Sequence, residues 1–203
     1  MEAKCNKVLG FNYKKAVQTL NFFARKEGSN INKMKALKLI WLSDRLHLRK
    51  FGRRITNDTY FALNYGPVPS NSKDLAENTS FLSQEEQCYR DCFLRNEDSY
   101  TYFSVEELDK NVFSESDLDV LQSIYTQFGS YDHYQLSDIS HKYPEWKKFE
   151  LHLKSKDASR FEMSYLDFFE NPTSGDPCLF QEEEMLILAK EVYLENENIY
   201  NLV

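Results

Sequence analysis

The most informative stretch of the chain reads LIWLSDRLHLRKFG and occupies residues 39–52. Its apolar side chains are spread around most of a helix circumference, which is typical of a helix that is packed on several sides. Asn32 is placed to cap this helix, because its side-chain oxygen can accept from the exposed amides of the first turn. Gly52 is placed to end it, as glycine often does after the last helical turn. The sequence therefore predicts a central helix that reaches Phe51.

A second helix is predicted on the N-terminal side of this stretch. Between Tyr13 and Ala24 the apolar residues recur at the three- and four-residue spacing of a helix that buries one face. Asn12 can cap its start, and Gly28 can end it because glycine readily adopts the left-handed conformation.

On the C-terminal side the period of the sequence changes to that of a strand. Residues 60–65 alternate in the two-residue rhythm of a short extended segment. Gly66-Pro67-Val68-Pro69 follows, and its two prolines predict a stiff turn that protrudes from the surface. Ser70 is expected to cap a short helix that reaches about Glu77. The turn has two open interpretations: an edge that binds a protein with little loss of entropy, or a corner that only positions the next helix.

Further helices are predicted downstream, together with a small β element. Residues 87–94 and 100–105 are expected to form a hairpin, and Ser114 with Asp117 forms the capping pattern of a helix that ends at Gly129. The remaining helices are expected around Leu136 and Ile139, from Pro144 through Phe149 and at about Gln181–Leu194. Ser164 and Asp167 repeat the capping pattern ahead of Phe168 and Phe169. The predicted fold class is mainly α, with one compact helical domain of about six to eight helices and a small β-hairpin or short sheet.

The chain length suits one domain with a modest extension. We expect residues 1–155 to form the main domain and residues 156–203 to form an acidic helical extension packed on it. The charge is uneven, since residues 33–54 carry a net +7 and residues 157–203 carry a net −9. This asymmetry indicates either a half that binds a polyanion such as DNA, or two faces that attract each other within the fold.

The composition predicts a folded, soluble protein of the cytoplasm. A hydrophobic content of 41% with 15% aromatic residues excludes an intrinsically disordered chain. No apolar run approaches the roughly 20 residues that cross a bilayer, and the N-terminal residues lack the apolar core of a signal peptide. The four cysteines are therefore expected to be thiols, and Cys88 with Cys92 has no neighbouring Cys or His pair to complete a zinc site. We expect no metal, no cofactor and no membrane partner.

Two polar residues of the central helix are candidates for chemistry. Asp44 and His47 lie three residues apart and therefore share a helix face. One interpretation is an acid–base pair that forms a hydrolase site with His141. The other is a polar pair that fixes a turn such as the corner at residues 52–55, because buried polar groups need hydrogen-bond partners in any case. No nucleophile-elbow, phosphate-loop or metalloprotease motif is present, so the second interpretation is favoured and no enzymatic activity is expected.

Several motifs resemble a known family when they are read together. The run at residues 39–52 continues into RRITNDTY at residues 53–60, and YGPVPS follows at residues 65–70. This pattern resembles the SocA-like antitoxin, or Panacea-domain, family, whose motif reads KLLYLADRxHLxxxGRxITGDxY and then YGPVPS. LSDISH at residues 136–141 and PEW at residues 144–146 are similar to a second block of that family.

The resemblance implies an antitoxin that binds and neutralises a cognate protein toxin, encoded beside it in a bacterial or phage genome. An adaptor that hands the toxin to a protease is a related implication. A DNA-binding transcriptional regulator is an alternative, although DNA binding is not expected through this chain alone, and a hydrolase is a remote one. The residues expected to contact the partner are Arg53, Arg54, Tyr65, Gly66, Pro67, Val68 and Pro69. The residues expected to form a structural polar motif are Asp44, Arg45, His47, His141 and Trp146.

Overall fold

The computed structural model describes residues 10–155, 158–172 and 180–202. Its α-helices are α1 (Tyr13–Lys26), α2 (Lys33–Phe51), α3 (Ser70–Glu77), α4 (Gln84–Phe93), α5 (Glu115–Phe128), α6 (His133–Ser140), α7 (Pro144–Lys147), α8 (Glu150–Ser155) and α9 (Glu183–Leu202). Its strands are β1 (Asn30–Asn32), β2 (Tyr60–Leu63), β3 (Gly66–Pro69), β4 (Leu94–Asn96), β5 (Thr101–Ser104) and β6 (Phe161–Glu162). Short 3-10 helices occupy Lys110–Val112 and Tyr165–Phe169. The predicted fold class, mainly α with a small β component, is confirmed.

Helix α2 lies at the centre of the described structure, as the sequence predicts. The Oδ1 atom of Asn32 accepts the amide of Lys35 at 3.2 Å, and Gly52 ends the helix with a left-handed φ of 64°. All residues from Ala36 to Arg49 are buried, because α1, α5, α6, α9 and β3 pack around the helix. Burial of apolar area stabilises the fold by roughly 25 cal/mol per Å². The buried apolar side chains of α2 therefore contribute much of the stabilisation that comes from the core.

The predicted ends of two other helices are also confirmed. Asn12 caps α1 by accepting the amide of Lys15 at 3.1 Å, and Gly28 adopts a positive φ of 79° just beyond the helix. Ser114 and Asp117 form a reciprocal capping box at the start of α5. Local hydrogen bonds of this kind depend on residues close in sequence, so the sequence alone is sufficient to predict them.

One three-stranded antiparallel sheet has the strand order β1–β5–β4. The predicted hairpin is present as β4 and β5, with Leu94 paired with Ser104. The prediction of its first strand at residues 87–94 is wrong except for Leu94, because residues 84–93 form α4 and β4 occupies Leu94–Asn96. Ser83 and Glu86 make a capping box that begins this helix, and the capping box overrides the strand-like pattern in the sequence.

The second antiparallel sheet has the order β3–β2–β6. The prediction of a protruding turn at residues 66–69 is wrong, because these residues form β3 and pair with β2, with Val68 opposite Phe61. The prolines are tolerated since β3 is an edge strand and its missing amides are not needed by a neighbour. Pro67 and Pro69 are buried.

The prediction that Ser70 caps α3 is also wrong. The cap position is Pro69, which makes no side-chain hydrogen bond to the helix. The buried carboxylate of Asp58 takes this role, since it accepts the amides of Asn71 at 2.8 Å and Ser72 at 2.7 Å. Asp58 lies twelve or more positions earlier in the chain, which is why a local search for a cap does not find it.

The C-terminal part of the described chain packs on α2 and β2. Strand β6 pairs with β2, and α9 lies so close to α2 that a Cβ atom added to Gly52 would be 2.6 Å from the carbonyl oxygen of Ala189. Helix α9 begins two residues after the predicted start at Gln181 and continues beyond Leu194. The domain boundary expected after residue 155 stays a prediction, because residues 156 and 157 are outside the described ranges.

Candidate functional site

The buried carboxylate of Asp44 fixes the loop that leaves α2. Its Oδ1 accepts the backbone amides of Ile55 at 2.8 Å and Thr56 at 3.0 Å. Its Oδ2 accepts the hydroxyl groups of Thr56 and Tyr60, the latter at 2.9 Å. Four donors therefore converge on one side chain, and they set the path from α2 into β2.

His47 contacts the same loop from the next turn of α2. Its Nδ1 lies 2.8 Å from the carbonyl oxygen of Arg53, and its Nε2 lies 3.1 Å from Oδ1 of Asp117 on α5. Asp117 also pairs with Arg53 at 3.1 Å and with Lys15 at 2.6 Å. Burial raises the pKa of Asp117, but hydrogen bonds from His47, Lys15 and the backbone outweigh this effect and lower its pKa. We call Asp44, His47, Arg53 and Asp117 the polar corner.

The contacts of the polar corner support the interpretation that Asp44 and His47 fix a turn. The third residue of the hypothetical hydrolase site, His141, lies at the end of α6 among different partners. Its ring stacks on Trp146 with ring centroids 3.9 Å apart. The structure therefore brings Asp44 and His47 to one corner and holds His141 elsewhere, so the three do not assemble a catalytic site.

Arg45 and Trp146, the other members of the predicted polar motif, attach α7 to the rest of the fold. The buried Nε of Arg45 donates to Oε1 of Glu145 at 2.7 Å, and its Nη2 donates to the carbonyl oxygen of Glu170 at 2.9 Å. The indole Nε1 of Trp146 donates to the carbonyl oxygen of Leu63 at 2.8 Å. The PEW motif therefore contacts α2 on one side and β2 on the other.

The glycine of the YGPVPS motif is required by a close approach of the backbone to α2 and α6. Gly66 has a φ of 97°, and a Cβ atom added there would lie 2.6 Å from Nζ of Lys38 and closer still to Oγ of Ser140. Nζ of Lys38 also donates to the carbonyl oxygen of Pro67 at 2.8 Å. The β2–β3 hairpin is therefore fixed in place before any partner arrives.

The hairpin exposes only part of the predicted partner-binding turn. Gly66, Pro67 and Pro69 are buried, whereas the side chain of Tyr65 is exposed and Val68 is half-buried. The carbonyl oxygen of Tyr65 accepts the hydroxyl of Ser137 at 2.9 Å, which fixes the backbone under the exposed ring. A partner that approaches the hairpin meets Tyr65 and Val68 first.

An open groove with a volume of about 430 Å³ lies beside the hairpin. We call it the hairpin groove. Its apolar and aromatic lining consists of Met34, Leu37, Leu63, Tyr65, Pro67, Val68, Tyr100 and Tyr134. The three tyrosines are 64%, 73% and 62% exposed. Tyrosine is enriched at protein interfaces because it offers a large amphipathic surface with few rotatable bonds.

The polar groups of the hairpin groove are mainly basic. Lys38 lies at its floor, where burial lowers the pKa of the ammonium group to about 7. Lys33 is largely buried as well, and its Nζ donates to the carbonyl oxygen of Asp98 at 2.8 Å. On the rim, Lys73 pairs with Glu77 at 2.6 Å. The groove therefore combines an apolar surface with a weakly positive edge.

The stretch that carries a net +7 does not form an exposed basic surface. Seven of its eight basic side chains donate within the protein, in the pairs Lys33–Asp98, Lys35–Glu27, Lys38–Pro67, Arg45–Glu145, Arg49–Phe168, Arg53–Asp117 and Arg54–Glu197. Arg54 is buried between the rings of Tyr165 and Tyr193, at 4.3 and 5.4 Å from their centroids. Of the two arginines predicted to contact a partner, Arg53 is the one that remains partly exposed.

Sequence reasoning missed Tyr100 and Tyr134 as candidate binding residues. Tyr100 follows the polar turn at residues 96–99, and Tyr134 lies in the first turn of α6. A large aromatic residue at the tip of a polar turn is a signal that could have marked Tyr100. No local signal shows that both tyrosines meet the β2–β3 hairpin, because this depends on the packing of distant segments.

The described residues contain no group of three or more His, Cys, Asp or Glu side chains arranged to hold a metal ion. Cys88 and Cys92 are exposed thiols on α4. Cys5 and Cys178 lie outside the described ranges. Within those ranges, no helix is both long and apolar enough to cross a membrane.

Comparison with protein families shows that residues 37–147 match the model described as antitoxin SocA-like, Panacea domain. No curated protein and no solved structure matches the chain. The matched region covers more than half of the sequence, and it includes the polar corner and most of the lining of the hairpin groove. The chain therefore belongs to the SocA-like antitoxin family, with the Panacea domain at residues 37–147.

Proposed function

We propose that this protein neutralises a cognate protein toxin by binding it directly at the hairpin groove. Membership of an antitoxin family supports a toxin as the partner. The observation that carries the proposed binding mode is the set of three exposed tyrosines around an apolar groove. Exposed aromatic residues gathered around a concave apolar surface are typical anchors of protein interfaces.

The support beneath the groove favours tight binding. The backbone of the hairpin is fixed by the contacts of Gly66 with Ser140 and of Lys38 with Pro67. A surface that is already ordered loses little conformational entropy when a partner docks, so more of the contact energy remains as affinity. In this proposal the protein acts by binding alone, and its buried polar residues serve the fold.

In this proposal, the bound antitoxin covers the part of the toxin that acts on its target. The alternative is that the antitoxin delivers the bound toxin to a protease. The two mechanisms differ in the fate of the toxin. Occlusion leaves the half-life of the toxin in cells unchanged when the antitoxin is present, whereas delivery shortens it. A chase of the toxin level after synthesis is stopped distinguishes them.

The proposal is tested by expressing the product of the neighbouring reading frame alone and together with this protein. We expect growth arrest in the first case and normal growth in the second. A Tyr65→Ser, Tyr134→Ser variant should fail to restore growth although its circular dichroism spectrum is that of the wild type. Leu151→Ser is the matched control, because Leu151 is exposed on α8 and is not part of the groove. Full protection by the groove variant would contradict the proposed site.

A further inference from the structure

Helix α9 has a second apolar face in addition to the one that it buries. Leu186, Ala189 and Tyr193 are buried where α9 packs on the core. Met185, Leu188 and Val192 are exposed, although they are spaced by three and four residues and therefore lie along one side of the helix. The exposed row runs parallel to the buried one, so α9 presents apolar side chains to solvent along two to three turns.

The exposed row continues onto α2. Phe51 at the end of α2 and Phe180 just before α9 are both exposed, and together with Met185 they line a cavity of about 430 Å³. Val192 is joined to the same area, because a Cβ atom added to Gly52 would lie 2.7 Å from its Cβ. We call Phe51, Phe180, Met185, Leu188 and Val192 the C-terminal stripe. The stripe thus combines the end of α2, Phe180 and one side of α9.

An acidic row borders the C-terminal stripe on α9. Glu184, Glu191 and Glu195 are exposed and recur at intervals of seven and four residues. Glu184 is four residues before Leu188 and Glu191 is three residues after it, so both carboxylates are neighbours of an apolar side chain of the stripe. A ligand that covers the α9 part of the stripe therefore meets negative charge along one edge, whereas Arg49 and Lys50 line the cavity at the end formed by Phe51 and Phe180.

We propose that the C-terminal stripe binds a basic amphipathic helix of a partner protein. A helix with apolar residues at three- and four-residue intervals can place them along the stripe and direct Lys or Arg side chains at the acidic row. A second copy of this chain is a poorer occupant, because it would bring two acidic rows towards each other. The proposal does not depend on the hairpin groove or on the toxin, and it concerns a separate surface.

The test uses the full chain and a fluorescent 18-residue peptide that contains only Leu and Lys, arranged to be amphipathic as a helix. Its control peptide has Glu in place of every Lys. We expect the Lys peptide to bind at least about tenfold more tightly than the Glu peptide in fluorescence anisotropy. A Leu188→Gln, Val192→Gln variant should weaken binding of the Lys peptide by about tenfold or more.

The matched control is Ile187→Gln, Leu194→Gln, which changes two exposed apolar residues on the other side of the same helix. Ile187 and Leu188 are equally exposed, at 57% each. This control variant should bind the Lys peptide as the wild type does. Equal weakening by both variants would overturn the proposal, since the peptide would then be recognising apolar surface in general.

A charge reversal tests the acidic row without disturbing packing. The variant Glu184→Lys, Glu191→Lys, Glu195→Lys should prefer the Glu peptide, because all three side chains are exposed and their charge faces the ligand. An unchanged preference for the Lys peptide would overturn the proposal. So would a wild-type dimer in light scattering that the Leu188→Gln, Val192→Gln variant abolishes, because a second copy would then cover the stripe.

Discussion

The polar corner and the hairpin groove are built on opposite halves of α2 and use it in opposite ways. In the polar corner, buried Asp44 and His47 contact the loop at residues 53–56. In the hairpin groove, the first turns of α2 supply Met34 and Leu37 to an open surface. The side chains of a type that could act as acid or base thus make hydrogen bonds inside the fold. The side chains that face outward are of a type that suits the binding of a protein.

The comparison shows that a sequence motif can describe a connection inside the fold or the support of a surface. The motif around Asp44 describes a way of connecting α2 to β2, because both carboxylate oxygens of Asp44 accept hydrogen bonds from the segment that links them. The YGPVPS motif describes how a hairpin is fixed on α2, and only its first residue presents an exposed aromatic ring. Residues that bind a partner can therefore lie next to these motifs in space as well as within them in the sequence.

The largest expected effect is that of Asp44→Ala on stability. The substitution leaves the amides of Ile55 and Thr56 and two hydroxyl groups without their acceptor in a buried site. Unsatisfied buried donors are strongly destabilising, so we expect the free energy of unfolding in urea to fall by about 4 kcal/mol. The exposed control Asp138→Ala should change it by less than about 0.5 kcal/mol. Similar losses of unfolding free energy for the two variants would contradict the structural role of the polar corner.

A smaller loss of stability is expected for Gly66→Ala. The new Cβ atom would meet Ser140 and Lys38 and would also require a φ of 97° from alanine. We expect a loss of about 3 kcal/mol in urea denaturation. Gly28→Ala separates the two causes, because Gly28 also has a positive φ but has no atom within 4 Å of an added Cβ. Its loss should be about 1 kcal/mol, and equal losses would show that close packing under the hairpin is unimportant.

The stability contributed by Lys38 should depend on pH. Burial lowers its pKa from 10.5 to about 7 in the folded state, so between these values the folded state binds fewer protons than the unfolded state. Stability must then rise with pH over this range. We expect the difference in unfolding free energy between wild type and Lys38→Met to shift in favour of wild type by about 2 kcal/mol from pH 7 to pH 9.

The neighbouring histidine does not obscure this measurement. Burial and the charge of Lys38 lower the pKa of His141 from 6.5, so its titration falls below the pH window. A pH-independent difference between the two proteins would show that Lys38 is solvated at the floor of the groove. The weakly positive character assigned to the hairpin groove would then need revision.

The smallest effect on stability is expected for Tyr65→Ser in the hairpin groove. Its exposed ring contributes little to the core, so the free energy of unfolding should change by less than about 0.5 kcal/mol. Thermal melting followed by circular dichroism is sufficient to detect a larger change. A loss above about 1 kcal/mol would mean that the ring is structural, and the contrast between the polar corner and the groove would fail.

Much of the fold could be predicted because its signals are local. The caps at Asn32, Asn12 and Ser114 each involve residues three positions apart. The errors arose where a distant residue decides the local structure. Asp58 caps α3 from another segment of the chain, and pairing with β2 turns an expected protruding turn into the buried strand β3.

The candidate site divides in the same way. The role of Asp44 and His47 in fixing a corner could be predicted, since any buried polar pair on a central helix needs nearby partners. The hairpin groove could not be predicted, because it is formed by separate parts of the sequence: α2, β3, the turn before β5 and α6. Only the packed structure brings Tyr65, Tyr100 and Tyr134 around one cavity.

The central claim is that the toxin binds the outward-facing groove while the polar corner only supports the fold. Titration calorimetry with the purified product of the neighbouring reading frame measures this binding. It compares wild type, the double variant Tyr65→Ser/Tyr134→Ser and the single variant His47→Gln at a temperature where all three are folded. We expect the double groove variant to bind the toxin about a hundredfold or more weakly, a loss of about 3 kcal/mol. We expect His47→Gln to bind as tightly as wild type. The opposite result, with intact binding by the groove variant and lost binding by folded His47→Gln, would contradict it.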